Sequence, residues 1–259
     1  MESVYNFSMA EILAFALVLL RMVAFVVTMP VIGTAVVPAH VKALFALSMG
    51  IVVFPILHWQ KIPVDFESMM IVSLAVKEVA VGLFLGFIAR LFFMTVSMAG
   101  QIMSVSLGIS SAQLFNPAMA ETSTAFDQIY LTLASMFFFS INGHHLLFSA
   151  LIDSFRLVPL QNMGLHFMGL QDFGAIVQKV MGVAVKMSAP LMVSILFMNV
   201  AVAVIGRAVP QINILITSMP VNILAGLMVT IVSMPLLIWQ MHDLLELTSG
   251  QLFQILKSL

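Results

Sequence analysis

Residues 9–29 read MAEILAFALVLLRMVAFVVTM, an apolar run whose only charges are Glu11 and Arg21. The hydrocarbon core of a bilayer is about 30 Å thick, so a helix that crosses it needs about 20 predominantly apolar residues. The residues before this run lack the positive charges of a cleavable signal peptide. We therefore expect the run to form a membrane helix that stays in place as an anchor.

Five further apolar segments follow the first one along the chain. Each is a candidate membrane helix by the same length rule, and the third and fifth of the six exceed one span, which predicts tilt, kinks or extension beyond the bilayer. The six segments are residues 9–29, 35–57, 69–98, 126–152, 175–205 and 214–241. The predicted fold class is an all-α membrane protein, organised as a single domain over residues 1–259.

The overall composition agrees with a membrane protein. The chain is 62% hydrophobic and 8% charged, whereas a soluble domain is about 25% charged. So much apolar surface needs lipid or partner subunits to cover it. The net charge of −1 gives no basic excess, so a nucleic-acid partner is not predicted. Cysteine is absent, which excludes disulfides and thiolate chemistry.

The breaks between the apolar segments differ in character. Residues 58–68 and 153–172 carry charges and are interpreted as aqueous loops, and the tail after Asp243 predicts a short amphipathic helix. Residues 100–125 are rich in small residues, with Glu121 as the only charge. Irregular backbone at membrane depth is tolerated only inside protein or beside a water-filled cavity. We therefore expect the 100–125 segment to be shielded from lipid.

Several charged residues interrupt the apolar segments. Such residues usually face protein or water, although snorkelling at a helix end is an alternative. Lys77 and Glu78 are adjacent, so they lie about 100° apart on a helix. We predict that they do not pair with each other and that each needs a separate partner. The charges in question are Glu11, Arg21, Lys77, Glu78, Arg90 and Lys186.

Two local patterns predict helix geometry. Gly82 and Gly86 form a GxxxG motif, whose small residues allow two helix backbones to approach closely. Asn142, Gly143 and His144 interrupt the fourth apolar segment and predict a kink in that helix.

The motifs of common enzymes are weak or missing. Gly108-Ile109-Ser110-Ser111 resembles the serine motif of an intramembrane protease, for which His144 or His145 would have to act as base, but the tripeptide is too common to favour this function. The six histidines form no metal-binding pattern, and no phosphate-binding glycine loop occurs. We predict that the chain is not an enzyme and holds neither metal nor cofactor.

Short motifs are distributed over most of the chain, and each of them is weak alone. They are Leu20-Arg21, Pro30-Val31-Ile32-Gly33, Val37-Pro38-Ala39-His40-Val41-Lys42, Lys77-Glu78, Gly82-Leu83-Phe84-Leu85-Gly86-Phe87, Ala99-Gly100-Gln101, Leu107-Gly108-Ile109-Ser110-Ser111-Ala112, Asn116-Pro117, Gly143-His144, Ser154-Phe155, Gly206-Arg207-Ala208-Val209-Pro210-Gln211-Ile212-Asn213 and Met219-Pro220. Together, and in this order, they resemble the FliR family of bacterial type III secretion. The chain departs from the family at Asn116, where aspartate is common, so an ionic role there is lost while a turn is retained.

The resemblance implies a core subunit of the flagellar type III protein-export gate. It implies kinked helical hairpins packed with FliP-like and FliQ-like subunits, and with an FlhB-like subunit, into a closed hetero-oligomeric helical assembly. The assembly would lie in the bacterial inner membrane at the flagellar basal body, in contact with lipid, and would conduct exported flagellar proteins. The energy source would be a separate ATPase and the proton-motive force.

We also predict roles for particular residues, and the gate is predicted from a nearly uncharged, non-periodic stretch between two strongly helical segments. We expect residues 107–120 to project toward the channel axis and close the pore at rest, with Gly108 giving backbone freedom and Phe115 giving bulk; an ordinary loop outside the membrane is the alternative. The predicted gate residues are Gly108, Ser110, Ser111, Ala112, Phe115, Asn116 and Pro117. The predicted subunit contacts are Arg21, Lys77, Glu78, Gly82, Gly86, Arg207, Pro210, Gln211 and Asn213.

Two other functions stay open at the level of sequence. The breaks at residues 30–38 and 210–220 are similar to the discontinuous helices of secondary transporters, but the internal repeat typical of transporters is missing. The injectisome counterpart of the flagellar gate is the second alternative, and the length and the Pro210-Gln211-Ile212-Asn213 motif favour the flagellar branch.

Overall fold

The computed structural model describes residues 8–34, 36–57, 68–109, 125–160, 170–208 and 214–258. Within these ranges the chain is helical and contains no strand, so the predicted all-α class is confirmed. A 3-10 turn, Phe54–Ile56, follows the second helix. The helices are α1 (Met9–Thr28), α2 (Ala39–Val53), α3 (Ser68–Ser106), α4 (Ala125–Ser140), α5 (Gly143–Leu157), α6 (Leu170–Ala208) and α7 (Ile214–Ser258).

The described helices are long and apolar enough for a membrane. Five stretches could each cross a bilayer, and the bent pair formed by α4 and α5 could make a sixth crossing. Helices α3 and α6 each have 39 residues and α7 has 45. At 1.5 Å per residue these helices are about 58 and 68 Å long, roughly twice the hydrocarbon core. Part of each therefore extends beyond one bilayer thickness, as the lengths of the third and fifth segments predicted.

The first helix begins with reciprocal side-chain caps. The backbone N–H of Ser8 donates to Glu11 Oε2 at 2.8 Å, and the backbone N–H of Glu11 donates to Ser8 Oγ at 3.3 Å. This capping box satisfies two of the N–H groups that a helix start leaves without a partner. Glu11 is therefore a helix cap, which explains one charge in the first apolar run.

The predicted kink at Asn142 is confirmed. Asn142 lies in the left-handed region, with φ 58° and ψ 30°, and the helices on either side of it are bent by 68°. Asparagine tolerates this conformation better than most residues. The fourth apolar segment is thus a pair of helices, α4 and α5, that meet at the predicted kink.

Three predicted boundaries also need correction. Helix α3 runs on to Ser106, so residues 100–106 are helical and the expected loop starts later. Helix α5 continues to Leu157 and α6 begins at Leu170, which shortens the polar break predicted at 153–172. Helix α7 continues without interruption to Ser258, so the tail is not a separate amphipathic helix.

The chain divides into two compact units that interleave along the sequence. Unit 1 contains Met1–Leu91, Asn142–Phe173 and Thr248–Leu259, and unit 2 contains Phe92–Ile141 and Gly174–Leu247. Helix α3 supplies its first part to unit 1 and its last part to unit 2. The single domain over residues 1–259 stays a prediction.

Each unit has its own core. In unit 1, α1 packs against α2, with Phe15 and Phe54 in edge-to-face contact at 5.4 Å between ring centroids. In unit 2, the rings of Phe92 and Phe93 contact Phe138 of α4 at 6.1 and 5.4 Å. Such aromatic pairs stabilise the packing beyond the apolar area that they bury.

The left-handed conformation of Asn142 at the kink leads us to a prediction about the stability of the protein. Replacing Asn142 with glycine should leave the thermal unfolding temperature of the detergent-solubilised protein nearly unchanged, because glycine adopts this conformation without strain. Replacing Asn142 with valine should destabilise the protein by about 1–2 kcal/mol, since a β-branched residue clashes with its own backbone there. Ser140→Val, at an exposed position two residues earlier, serves as control. Equal melting temperatures for the two valine variants would contradict the assigned backbone geometry.

Candidate functional site

A buried ion pair joins α1 to α3 in unit 1. Arg21 Nε donates to Glu78 Oε2 at 2.6 Å, and both side chains are 0% exposed. These residues are far apart in sequence and were each predicted to need a partner, and the fold supplies it within the chain. A hydrogen-bonded pair of this kind resists separation, because either charge alone would be buried without compensation.

The rest of the Arg21 guanidinium is bound by α5. Nη1 donates to Ser154 Oγ at 3.0 Å and Nη2 donates to the carbonyl oxygen of Val158 at 3.0 Å. The guanidinium carbon lies 4.1 Å from the ring centroid of Phe155, which adds a cation–π contact. All three guanidinium nitrogens therefore have acceptors, and one side chain connects three helices.

Lys77 completes the cluster and corrects one prediction. Its Nζ lies 3.2 Å from Glu78 Oε1, an ion pair without hydrogen-bond alignment. The same ammonium donates to the carbonyl oxygens of Pro159 at 2.7 Å and Leu160 at 3.2 Å. The prediction that adjacent Lys77 and Glu78 do not pair is wrong, because the flexible lysine stem spans the angle between the two positions. The separate partners predicted for Lys77 are present as well.

The carbonyl oxygens explain how an excess cation is tolerated in this interior. Arg21, Lys77 and Glu78 together carry one net positive charge. The acceptors at Val158, Pro159 and Leu160 follow the C-terminal end of α5, where a helix presents unpaired carbonyls and partial negative charge. The charge cluster therefore binds the end of α5 to the α1–α3 pair.

The GxxxG motif brings α3 close to α1 beside this cluster. A Cβ atom on Gly82 would lie 2.8 Å from Ala24 Cβ and would overlap the Arg21 carbonyl oxygen. A Cβ atom on Gly86 would lie 2.9 Å from the Phe25 carbonyl oxygen and would overlap Thr28. The predicted close approach of helices thus takes place within the chain, and any larger residue would push the cluster apart.

The predicted subunit-contact residues fall into three groups. The contacts of Arg21, Lys77, Glu78, Gly82 and Gly86 are with residues of this chain. Arg207 is exposed near the end of α6. The remaining three lie outside the described residues: Pro210, Gln211 and Asn213.

The predicted gate segment starts from a fixed helix end in unit 2. Gly108 has φ 79°, its N–H donates to the carbonyl of Val105 at 3.0 Å, and the N–H of Ile109 donates to the carbonyl of Ser104 at 3.2 Å. This pair of bonds is a Schellman motif, which ends helices at a left-handed glycine. The conformational freedom predicted for Gly108 is therefore used for a defined cap, not for a hinge. The other predicted gate residues lie outside the described residues: Ser110, Ser111, Ala112, Phe115, Asn116 and Pro117.

Both flanks of this segment are held against helices of unit 2. Leu107 is 0% exposed, and its side chain fills the space where a Cβ atom of Gly226 would stand in α7. On the other flank, a Cβ atom on Gly100 would lie 2.8 Å from the Cα of Asp127, so the start of α4 rests directly on α3. The chain therefore leaves α3 at Gly108 and returns to the same helix at Asp127.

Sequence reasoning missed the role of α7 in this arrangement. Asn222 Nδ2 donates to Asn199 Oδ1 at 2.9 Å, joining α6 to α7. Asn222 and Gly226 are one helical turn apart, so they share the face of α7 on which Leu107 packs. The only signal in the sequence was an asparagine within each of two apolar segments, on either side of the break at 207–213.

The described residues give no support to the other chemistries considered. In the part of the chain that the structure describes, no group of three or more histidine, aspartate or glutamate side chains could hold a metal ion. The rings of His144 and His145 are 4.3 Å apart at the start of α5. Ser110, the nucleophile considered for a protease, lies outside the described residues.

These features define a polytopic helical membrane protein with a buried charge cluster that joins α1, α3 and α5. Within that class the chain belongs to the bacterial export proteins, family 1, whose model matches residues 12–248.

Three relatives show how closely the chain follows this family. It is 30% identical over 240 residues to flagellar biosynthetic protein FliR of Bacillus subtilis (strain 168), with 91% of each chain covered. It is 30% identical over 216 residues to the FliR of Caulobacter vibrioides, covering 82% of this chain and 84% of that protein. It is 29% identical over 222 residues to the FliR of Escherichia coli (strain K12), covering 85% and 83%. The resemblance to the FliR family is confirmed.

The charge cluster makes a prediction about folding. Arg21→Leu should destabilise the protein by about 3–5 kcal/mol, because Glu78 is left buried without its guanidinium. Arg156→Leu is the matched control, since it removes an arginine of α5 whose side chain is 75% exposed. The double variant Arg21→Met, Glu78→Gln should cost less than the two single variants added together. Thermal unfolding in detergent measures all five variants: Arg21→Leu, Arg156→Leu, Arg21→Met, Glu78→Gln and the double variant. A melting temperature for Arg21→Leu equal to that of the control would refute the assignment.

Proposed function

We propose that the chain is a core subunit of the flagellar type III protein-export gate, located in the bacterial inner membrane at the flagellar basal body. The observation that carries this proposal is the match of residues 12–248 to a family of bacterial export proteins. The relatives above are flagellar biosynthetic proteins matched over most of both chains, which favours the flagellar system over the injectisome counterpart. The gate subunit needs no catalytic residue, and we assign no enzymatic activity.

The exposed helices support a role inside a larger assembly. Only 11% of the apolar window in α6, 17% of that in α7 and 17% of that in α2 is buried by the chain itself. Among these exposed apolar residues, α6 also exposes Lys186, and α3 exposes Arg90. A cation facing hydrocarbon is costly, so these helices fit protein neighbours better than lipid alone. In the proposal, FliP-like and FliQ-like subunits cover them, and an FlhB-like subunit joins the same closed helical assembly.

We assign closure of the export channel to residues 107–120. The support comes from the flanks: Leu107 and Asp127 are both held at the last two turns of α3, where Gly100 and Leu107 are about 10 Å apart along the axis. The 15 residues of 110–124 could span about 50 Å if extended. A segment with both ends at one helix end has the length to reach about 25 Å away and return. Such a projection, slim and with Glu121 as its only charge, suits a plug that exported flagellar proteins displace.

The composition of the assembly tests the proposed function. Native mass determination of the tagged chain, gently extracted from its own host, should give a large complex with a fixed ratio of at least two other small hydrophobic proteins. The control is the same tag on an unrelated polytopic protein of that membrane. A monomer or homodimer would contradict the proposal and would favour a secondary transporter.

A deletion tests the plug. Removing residues 110–117 should leave the complex assembled but make purified complexes in vesicles leak carboxyfluorescein, because the closed state loses its plug. Removing the same number of residues at 60–67, from a break that the sequence assigns to an aqueous loop, is the matched control and should leave the vesicles tight. Tight vesicles with the 110–117 deletion would exclude this segment as the plug while leaving the subunit role intact.

A further inference from the structure

Helix α6 carries positive charges without any carboxylate to balance them. Residues 174–208 contain Lys179, Lys186 and Arg207 but no aspartate or glutamate. The two lysines are exposed, and neither takes part in an ion pair within the part of the chain that the structure describes. A lysine within an apolar membrane helix usually faces protein or water and pairs with an acidic group or with carbonyl oxygens. We therefore expect the balancing carboxylate to lie outside this chain.

A glycine lies between the two lysines on the same face of α6. Gly182 follows Lys179 by three residues and precedes Lys186 by four, and residues at these spacings are neighbours on a helix surface. Gly182 is exposed, and a Cβ atom built on it would meet nothing within 4 Å. A helix interior disfavours glycine relative to alanine, because glycine loses more backbone freedom on folding. A larger residue would fit at position 182 within this chain, so the fold of the chain gives no reason for glycine there.

The glycines of α3 show what such a residue does when a helix lies beside it. A Cβ atom on Gly82 or Gly86 would collide with atoms of α1, so both glycines let the two backbones approach closely. Gly182 offers the same close approach, and no described part of the chain fills the space beside it. A flexible lipid chain needs no glycine next to it, whereas a second helix does. The space therefore fits a helix of a neighbouring subunit.

We infer that Lys179, Gly182 and Lys186 form a docking face for an apolar helix of a neighbouring subunit, and that this helix carries an aspartate or glutamate at the level of the glycine. Gly182 brings the two backbones close together, which places the partner's carboxylate within reach of the lysine ammonium groups. Once water is excluded, such an ion pair is stronger than one on an exposed surface. The inference rests on the proposed function, because it requires a neighbouring subunit, and it adds the place of contact and the chemistry of the partner.

Zero-length cross-linking tests for the carboxylate directly. Dicyclohexylcarbodiimide activates a carboxyl group, and a lysine amine in contact with it then forms an amide bond. In the purified complex we expect peptides of this chain to be joined through Lys186 or Lys179 to an aspartate or glutamate of a different protein. The double variant Lys179→Arg, Lys186→Arg is the control, because arginine keeps the charge but does not form the amide. A wild-type complex without any such cross-link would overturn the inference.

A matched pair of glycine variants tests the close approach. Gly182→Leu places a side chain between the two helices, whereas Gly174→Leu changes a second exposed glycine of α6 that also meets nothing within 4 Å. Position 174 lies about 80° around the helix and about 12 Å along its axis from position 182. Both variants should keep the melting temperature of the detergent-solubilised chain, since neither side chain collides within it.

The two glycine variants should differ in assembly. Overpacking of a tight contact commonly changes an equilibrium by about fivefold or more. We therefore expect native mass determination to recover at least about fivefold less complex with Gly182→Leu than with Gly174→Leu. Equal recovery would contradict a helix at this face, and the cross-linking of the wild-type complex gives an answer that depends on no variant.

Failure of this inference is distinguishable from failure of the proposed function. A wild-type chain that forms no complex with other proteins would make the proposed function itself wrong. A complex of the expected composition, without cross-links at Lys179 or Lys186 and with equal recovery of the two glycine variants, would assign these lysines to anionic lipid headgroups and leave the subunit role intact.

Discussion

The ion pair between Arg21 and Glu78 is the interaction on which the first unit depends. Each partner lies in an apolar helix where a single charge would be strongly unfavourable, and both side chains are fully buried. The remaining guanidinium nitrogens bind Ser154 and Val158, so the orientation of α5 is fixed by the same side chain. Since Gly82 and Gly86 bring α1 and α3 close together, the pair also requires small residues beside it. The charges, the close packing of α1 on α3 and the end of α5 thus form one mutually dependent arrangement within unit 1.

The second unit is held together by close packing and interhelical hydrogen bonds in place of a buried charge cluster. Its contacts involve few charges. Leu107 fills the space beside Gly226, and the start of α4 rests on Gly100. Asn222 of α7 is hydrogen-bonded to Asn199 of α6. In an apolar environment, close van der Waals contact and a few interhelical hydrogen bonds hold helices together. The result is a defined origin for an uncharged segment, next to helices whose outer faces the chain itself leaves largely uncovered.

The two arrangements together agree with a subunit whose purpose is to complete a larger structure. The buried charges of unit 1 have partners within the chain, whereas α6 and α7 expose long apolar faces and α6 also exposes Lys186. A chain whose buried charges have partners but whose helices expose large apolar faces needs lipid or other subunits to cover those faces. This division explains why the charges first interpreted as subunit contacts have their partners inside the chain, and why the exposed surface lies in other helices.

The sequence by itself determined the membrane class, the approximate positions of most helices, the kink at Asn142 and the family. These follow from local information: an apolar run of about 20 residues spans a bilayer whatever surrounds it, and an asparagine before a glycine favours a left-handed break. The sequence also identified Arg21, Lys77 and Glu78 as residues in need of partners, and it failed to identify those partners because Arg21 and Glu78 are 57 positions apart. Only the tertiary structure decided that they pair with each other and with the end of α5, that α3 continues to Ser106, and that Gly226 receives Leu107. The physical reason is that the hydropathy and spacing of residues in one helix indicate whether its faces are buried in lipid, protein or water. Ion pairs and close helix contacts depend on which other helix lies beside it.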